Sequence, residues 1–221
     1  PNQEGAYLNQ SERSTTFDTI PIKTHMLGVL DDPINVVEKY VASSIKQGDI
    51  VTIGETPLAI IQGRYQHPSN INPTLLAKFL CYFFHPTSSL ATACGMQALI
   101  NEVGPSRIIF AWLIGSFFKT FKVKGIFYRL AGEQARLIDD ITGTTPPYDQ
   151  VIVLGPINPK YYCDMLALKI GVDVAVVDVN DLGKVKIVAS NNKANKVLIC
   201  KALKGNPAGN ADQQTPIVII R

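Results

Sequence analysis

The sequence has four cysteines, Cys81, Cys94, Cys163 and Cys200, and none is paired in a C-x-x-C spacing. Zinc sites and disulfide frameworks space their cysteines more tightly, so four reduced, mostly buried thiols are expected, and with them a cytoplasmic setting. Charge of one sign is also scarce. The 21 Lys and Arg stand against 18 Asp and Glu, a net +3, too mild to argue for a nucleic-acid partner without basic clusters. Residues 1–20 are polar and rich in Ser, Thr, Glu and Asn, with no secretion-signal pattern. Long apolar runs are missing as well: the longest, Ile108 to Phe118, is about half of what a bilayer-crossing helix needs. Arg107, Lys119, Lys122, Lys124 and Arg129 surround that run. The pattern suits a membrane-surface or acidic-ligand site, or a buried helix with a basic end; the buried helix, without a membrane partner, is the expectation. The chain also lacks a Walker loop, a G-x-G-x-x-G fingerprint, a G-x-S-x-G elbow and H-E-x-x-H.

What is present is a globular composition, 46% hydrophobic and 18% charged over 221 residues, enough to bury a sizeable core. Residues 1–18 read as a flexible polar arm and 19–221 as a single unit of one or two lobes. Thr19–Thr24 is strand-like. Asp31-Asp32-Pro33 starts a helix, with Ile34, Val37, Tyr40, Val41 and Ile45 at helical spacing. Ile50–Ile53 reads as a β-branched strand, Gly54–Pro57 as a break, and Leu58–Ile61 as a second strand ending at Gln62-Gly63-Arg64. Helices are expected over 75–84, 90–103, 159–170 and 195–203, and strands over 151–154, 172–177, 185–188 and 217–220. The irregular alternation predicts an α+β fold with mixed sheets.

Chemistry concentrates in three places. V-A-V-V-D-V-N-D-L-G, residues 174–183, ends a buried strand in Asp178, Asn180, Asp181 and Gly183. These are hard oxygen ligands of the kind Mg²⁺ or Mn²⁺ prefers, and equally the residues of a hydrogen-bonded turn. Asp139-Asp140 with Thr142 and Gly143 forms a second oxygen-rich cluster. The segment 48–64 sets Glu55 between two apolar runs and Arg64 beside Gly63, a pairing that can approach phosphate with both the guanidinium fork and backbone N–H groups, or be ordinary surface charge. His25, His67 and His85 lie in unrelated contexts.

Taken together, T-I-P-I-K-T, Asp31-Asp32, G-D-I-V-T-I, Gly63-Arg64, D-V-N-D-L-G and the closing P-I-V-I-I-R resemble the coenzyme F-420 gamma-glutamyl ligase family, over roughly residues 19–64 and 138–221. The resemblance implies a ligase-like architecture, an interlocked homodimer, and a GTP- and Mn- or Mg-dependent enzyme. In that family the γ-phosphoryl group activates a small-molecule carboxylate as an acyl phosphate. The amine of L-glutamate then displaces phosphate to form an amide. It further implies Asp178, Asp181 and Asp140 as metal ligands, and Gly63, Arg64, Asn180, Gly183 and Lys184 as nucleotide contacts, with Glu55 and Arg64 catalytic. The chain departs from the family pattern where Gln62 replaces a glutamate and a lysine is missing. A non-catalytic metal- or nucleotide-binding protein on the same scaffold is therefore the alternative, and Lys184 or Lys23 would be the replacement cation.

Overall fold

The computed structural model describes residues 17–139, 146–179, 184–209 and 213–221. Within them the chain runs β1 (Thr19–Ile22), α1 (Pro33–Val41), β2 (Ile50–Gly54), α2 (Glu55–Ile61), β3 (Tyr65–Gln66), α3 (Leu75–Leu80), α4 (Ala93–Val103), α5 (Pro105–Thr120), α6 (Ile126–Ala131), α7 (Gln134–Leu137), β4 (Ile152–Val153), α8 (Pro159–Ile170), β5 (Asp173–Val179), β6 (Val185–Ser190), α9 (Lys196–Ala202) and β7 (Ile217–Ile220). The fold is mixed α+β. A five-stranded sheet has the order β1-β7-β2-β5-β6, and β3 pairs with β4 in a small second sheet. Only β2 and β5 run parallel; β1–β7, β7–β2 and β5–β6 are antiparallel.

The period-two alternation of the central strands sorts their side chains onto two faces. Val51, Ile53, Val174, Val176, Ile217 and Ile219 pack with Val37 and Val41 of α1 and Cys163 and Leu166 of α8. Ile50, Ala175, Val177, Val218 and Ile220 pack on the other side with Ile199 of α9 and Leu203. A strand covered on both sides needs apolar residues at every position, which is why β7 reads Ile-Val-Ile-Ile and is buried throughout. The caps are local and legible: Asp32 accepts the Asn35 N–H at the start of α1, next to Pro33, and Gly171 takes φ +75° at the end of α8.

The segment between α2 and β4 builds a separate helical core from Leu80, Leu90, Met96, Leu99, Ile108, Phe127 and Ile152. Gly115 permits the close approach of α5 and α6, because a Cβ there would stand 3.1 Å from the Phe127 backbone nitrogen.

Three expectations change. The strand expected at Leu58–Ile61 is the body of α2. Short apolar runs fit either element, and Pro57, sitting in the first helical turn, lacks only an N–H that the helix leaves unpaired anyway. The run Ile108–Phe118 is helical, but of α5 only Ile108 and Ala111 are buried, so it is not the buried helix expected. The helix expected over 75–84 divides into α3 and a 3₁₀ turn at Cys81–Phe83. The proposed arm, 1–18, falls almost wholly outside the described residues.

Candidate functional site

The parallel pair β2–β5 sets Gly54 opposite Val177, so Glu55 just past the end of β2 and Asp178 near the end of β5 stand at the carboxyl ends of neighbouring strands. That edge is where open sheets containing parallel strands commonly hold ligands. A cavity of about 250 Å³ lies there, and its polar lining includes Thr24, His25, Thr52, Glu55, Asp139 and Asp178. Leu27, Ile60, Tyr148, Leu203 and Val218 supply apolar wall. Gly54 keeps the strand-to-helix corner tight, since a Cβ on it would stand 3.0 Å from Pro57 Cδ.

Glu55, the first residue of α2, is 6% exposed, and among the described residues its Oε2 has no hydrogen-bond partner. Burial pushes its carboxyl up to about 9, the charges of Asp139 and Asp178 add to the rise, and Lys186 opposes it. Asp139 is fixed by a two-way backbone bridge to Val153, with N···O distances of 2.9 and 2.8 Å. The Thr56 hydroxyl donates to its Oδ2 at 3.4 Å. Burial and the Asp178 charge raise Asp139 to about 6. Asp178 is raised by burial against the pull of Lys186, its ladder partner on β6. Lys186 Nζ itself is ion-paired to Glu133 Oε2 at 2.8 Å, without a well-directed hydrogen bond.

Three carboxyls thus share one cavity with a single nearby lysine. Holding a proton on Glu55 relieves the repulsion when the site is empty. A bound cation would relieve it differently, by letting the group ionise and taking Glu55 Oε2 as a ligand. The donor set is all oxygen, which suits a hard divalent ion or an ammonium group. Among the described residues, no group of three or more His, Cys, Asp or Glu side chains is disposed to hold a metal ion on its own. Any such ion would need oxygens from its ligand or from residues outside that set.

At the rim, His25 is gripped from both sides. Its Nε2 lies 2.8 Å from Asp31 Oδ1 and its Nδ1 2.7 Å from the Tyr40 hydroxyl. Burial alone would raise Asp31, but the N–H of Gly28 and the neighbouring His25 outweigh it and hold this carboxyl below the usual range.

The Gly63-Arg64 pair is used elsewhere. Gly63, at φ +68°, donates its N–H to Ile60 O, and Arg64 donates its backbone N–H to Ala59 O, which together close α2 in a Schellman cap. The Arg64 guanidinium donates to both Glu102 oxygens, at 3.2 and 2.8 Å, and to Gly155 O at 3.2 Å. None of these donors lines the cavity. The contacts of Gly63 and Arg64, read from sequence as phosphate ligands, are structural here: both backbone N–H groups and three of the five guanidinium N–H groups are engaged within the fold. Gln62 is likewise committed, clipping the Ile157 backbone through bonds of 2.9 and 2.7 Å.

Of the other residues singled out from sequence, Glu55 and Asp178 meet in the cavity. Asp140, Asn180, Asp181 and Gly183 lie outside the described residues, and Lys184 is exposed at the foot of β6. Sequence reasoning named Asp139 only as part of a cluster and chose Asp140 instead, and it missed Lys186. The hairpin register that sets Asp178 against Lys186 is the one signal that could have found the lysine.

Fold and site together define an α+β protein with an acidic cavity at the carboxyl ends of a parallel strand pair. No protein-family model and no curated protein matches the chain.

Proposed function

We propose that this protein binds a small molecule together with a divalent cation, Mn²⁺ or Mg²⁺, in the Glu55–Asp139–Asp178 cavity. As an enzyme it would be a GTP-dependent ligase, joining an amino acid such as L-glutamate to a small-molecule carboxylate. The observation that carries the binding site is the buried Glu55 Oε2, partnerless among the described residues and facing two further carboxyls. The ligase chemistry and the homodimer rest on the resemblance drawn from the motifs, and the cytoplasmic setting on the scattered, unpaired spacing of the four cysteines. The cation, when bound, would screen phosphate charge beside the carboxylate under attack. The chain's own part is to present Glu55, Asp139 and Asp178 as oxygen donors, with Lys186 limiting their mutual repulsion and the apolar wall excluding water.

A second reading, binding without ligation, is favoured by a specific observation. The one arginine expected to face phosphate is held by Glu102 and Gly155. Thermal melts with Mn²⁺ and GTP, separately and together, test both. Stabilisation by Mn²⁺ that is lost in Glu55→Gln supports the cation site, and a further shift with GTP supports the nucleotide. Turnover of GTP with L-glutamate and a panel of carboxylates then separates ligase from binder. Absence of any Mn²⁺ or Mg²⁺ shift in wild-type protein would remove the cation site and the ligase reading with it.

A further inference from the structure

We infer that the outer face of α5 and its basic flank form a docking surface for an anionic lipid membrane. The helix has two apolar faces. Ile108, Ala111, Trp112 and Gly115 share one side, packed against the helical core and α6. Phe110, Leu113, Phe117 and the capping Phe121 follow the opposite side at helical spacing, and each is more than half exposed. A helix apolar all round is normally buried, and solvent exposure of such a side marks a surface that something else covers. Phe79 and Phe83, about half exposed, meet Trp112 edge-on at centroid distances of 5.7 and 5.0 Å and carry the aromatic surface onto the neighbouring α3 turn.

Charge decides what the cover is. Between Val103 and Gly132 the sequence has no acidic residue and five basic ones, Arg107, Lys119, Lys122, Lys124 and Arg129, all exposed. Among the described residues none of the five forms an ion pair: the salt bridges of the molecule lie elsewhere. A second copy of the chain laid on this face by two-fold symmetry would bring the same unneutralised cluster against itself. Residues 1–16 contain only Tyr7 and Leu8 as large apolar side chains, too few to cover it. An anionic bilayer meets both demands, taking the phenylalanines into the acyl boundary and the lysines onto its headgroups. No helix among the described residues is long and apolar enough to cross a membrane, so the contact is with one leaflet.

The test uses the full chain with vesicles of phosphatidylcholine alone and of phosphatidylcholine with phosphatidylserine. Trp112, the sole tryptophan of the sequence, lies beside the face and serves as the fluorescence reporter. Co-flotation and a blue shift are expected with the serine lipid only, both reversed by salt. Replacing Lys119, Lys122 and Lys124 with Gln should weaken binding about a hundredfold, roughly fivefold per lysine. Phe110→Ser with Phe117→Ser, both at exposed positions, should abolish it while circular dichroism stays unchanged. Failure to float with anionic vesicles overturns the inference. So does a concentration-dependent dimer, seen by light scattering, that the serine substitutions dissolve, because the cover is then a second copy.

Discussion

Glu55 has the same carboxyl group as any surface glutamate, and its position alone makes it chemically distinct. Its ordinary value of 4.5 rises to about 9 because burial and two neighbouring carboxylates disfavour its charge. The sign of the stability effect follows. Below about 4.5 the group is neutral in folded and unfolded chain alike, and the stability gained by keeping it neutral is complete. As pH climbs toward 9 the unfolded chain sheds the proton while the folded one keeps it, so stability falls. Glu55→Gln, neutral at every pH, should therefore melt several degrees above wild type near pH 8 and close to it near pH 5. Parallel melting curves across that range would show that the carboxyl is not held neutral. Ligand binding should follow the same proton. Mn²⁺ affinity should increase as pH rises from about 6 toward 9. Calorimetry in buffers of different ionisation heat should register proton release on binding, and a pH-independent affinity would mean that the cation does not engage Glu55.

Among the elements, α2 shows how one stretch of sequence can mislead about both fold and function. Its apolar Leu58–Ile61 suggested a strand, because four residues are too few to separate the two periodicities. The Gly63-Arg64 pair behind it suggested a phosphate site, because a glycine next to an arginine also suits an anion. The deciding fact is where the backbone donors point, and that depends on Gly63 adopting φ +68° to turn the chain out of a helix. A side chain there must occupy the left-handed region and press Val29 Cγ1 at 3.4 Å. Gly63→Ala should cost about 1–2 kcal/mol in urea unfolding, with Mn²⁺ affinity unchanged. A loss of Mn²⁺ binding with stability intact would restore a ligand role to this turn. Elements with stronger signals were readable in advance: α1 from its Asp-Pro start, α8 from Pro159 to Gly171, and β5 and β7 from their β-branched runs. The cavity was legible only in part. Glu55 and Asp178 lie 123 positions apart. Asp139 lines the cavity, whereas the sequence reading chose Asp140, which lies outside the described residues. Linear sequence does not report whether the Asp139 carboxylate faces the cavity. That depends on the backbone bridge to Val153, a contact set by the third dimension.

At the scale of the molecule, the sheet is held together by its last strand. β7 lies between β1 and β2 and pairs with both, and Arg221 beyond it bonds Asp49 through two nitrogens at 3.0 and 2.8 Å. Ile219 is wholly buried at the centre of this layer, so Ile219→Ala should cost about 2–5 kcal/mol. A loss of less than about 1 kcal/mol in denaturant titration would mean that the sheet repacks around it. The placement of β7 also has a consequence for the order of events on the ribosome. β1 and β2 are made well before the strand that joins them, with Thr19 waiting for Ile220. The helical core formed by residues 71–154 can assemble from local contacts meanwhile. Until β7 is made, the chain therefore holds two strands with no partner between them beside a region able to form its own helical core, the species a chaperone would have to shelter.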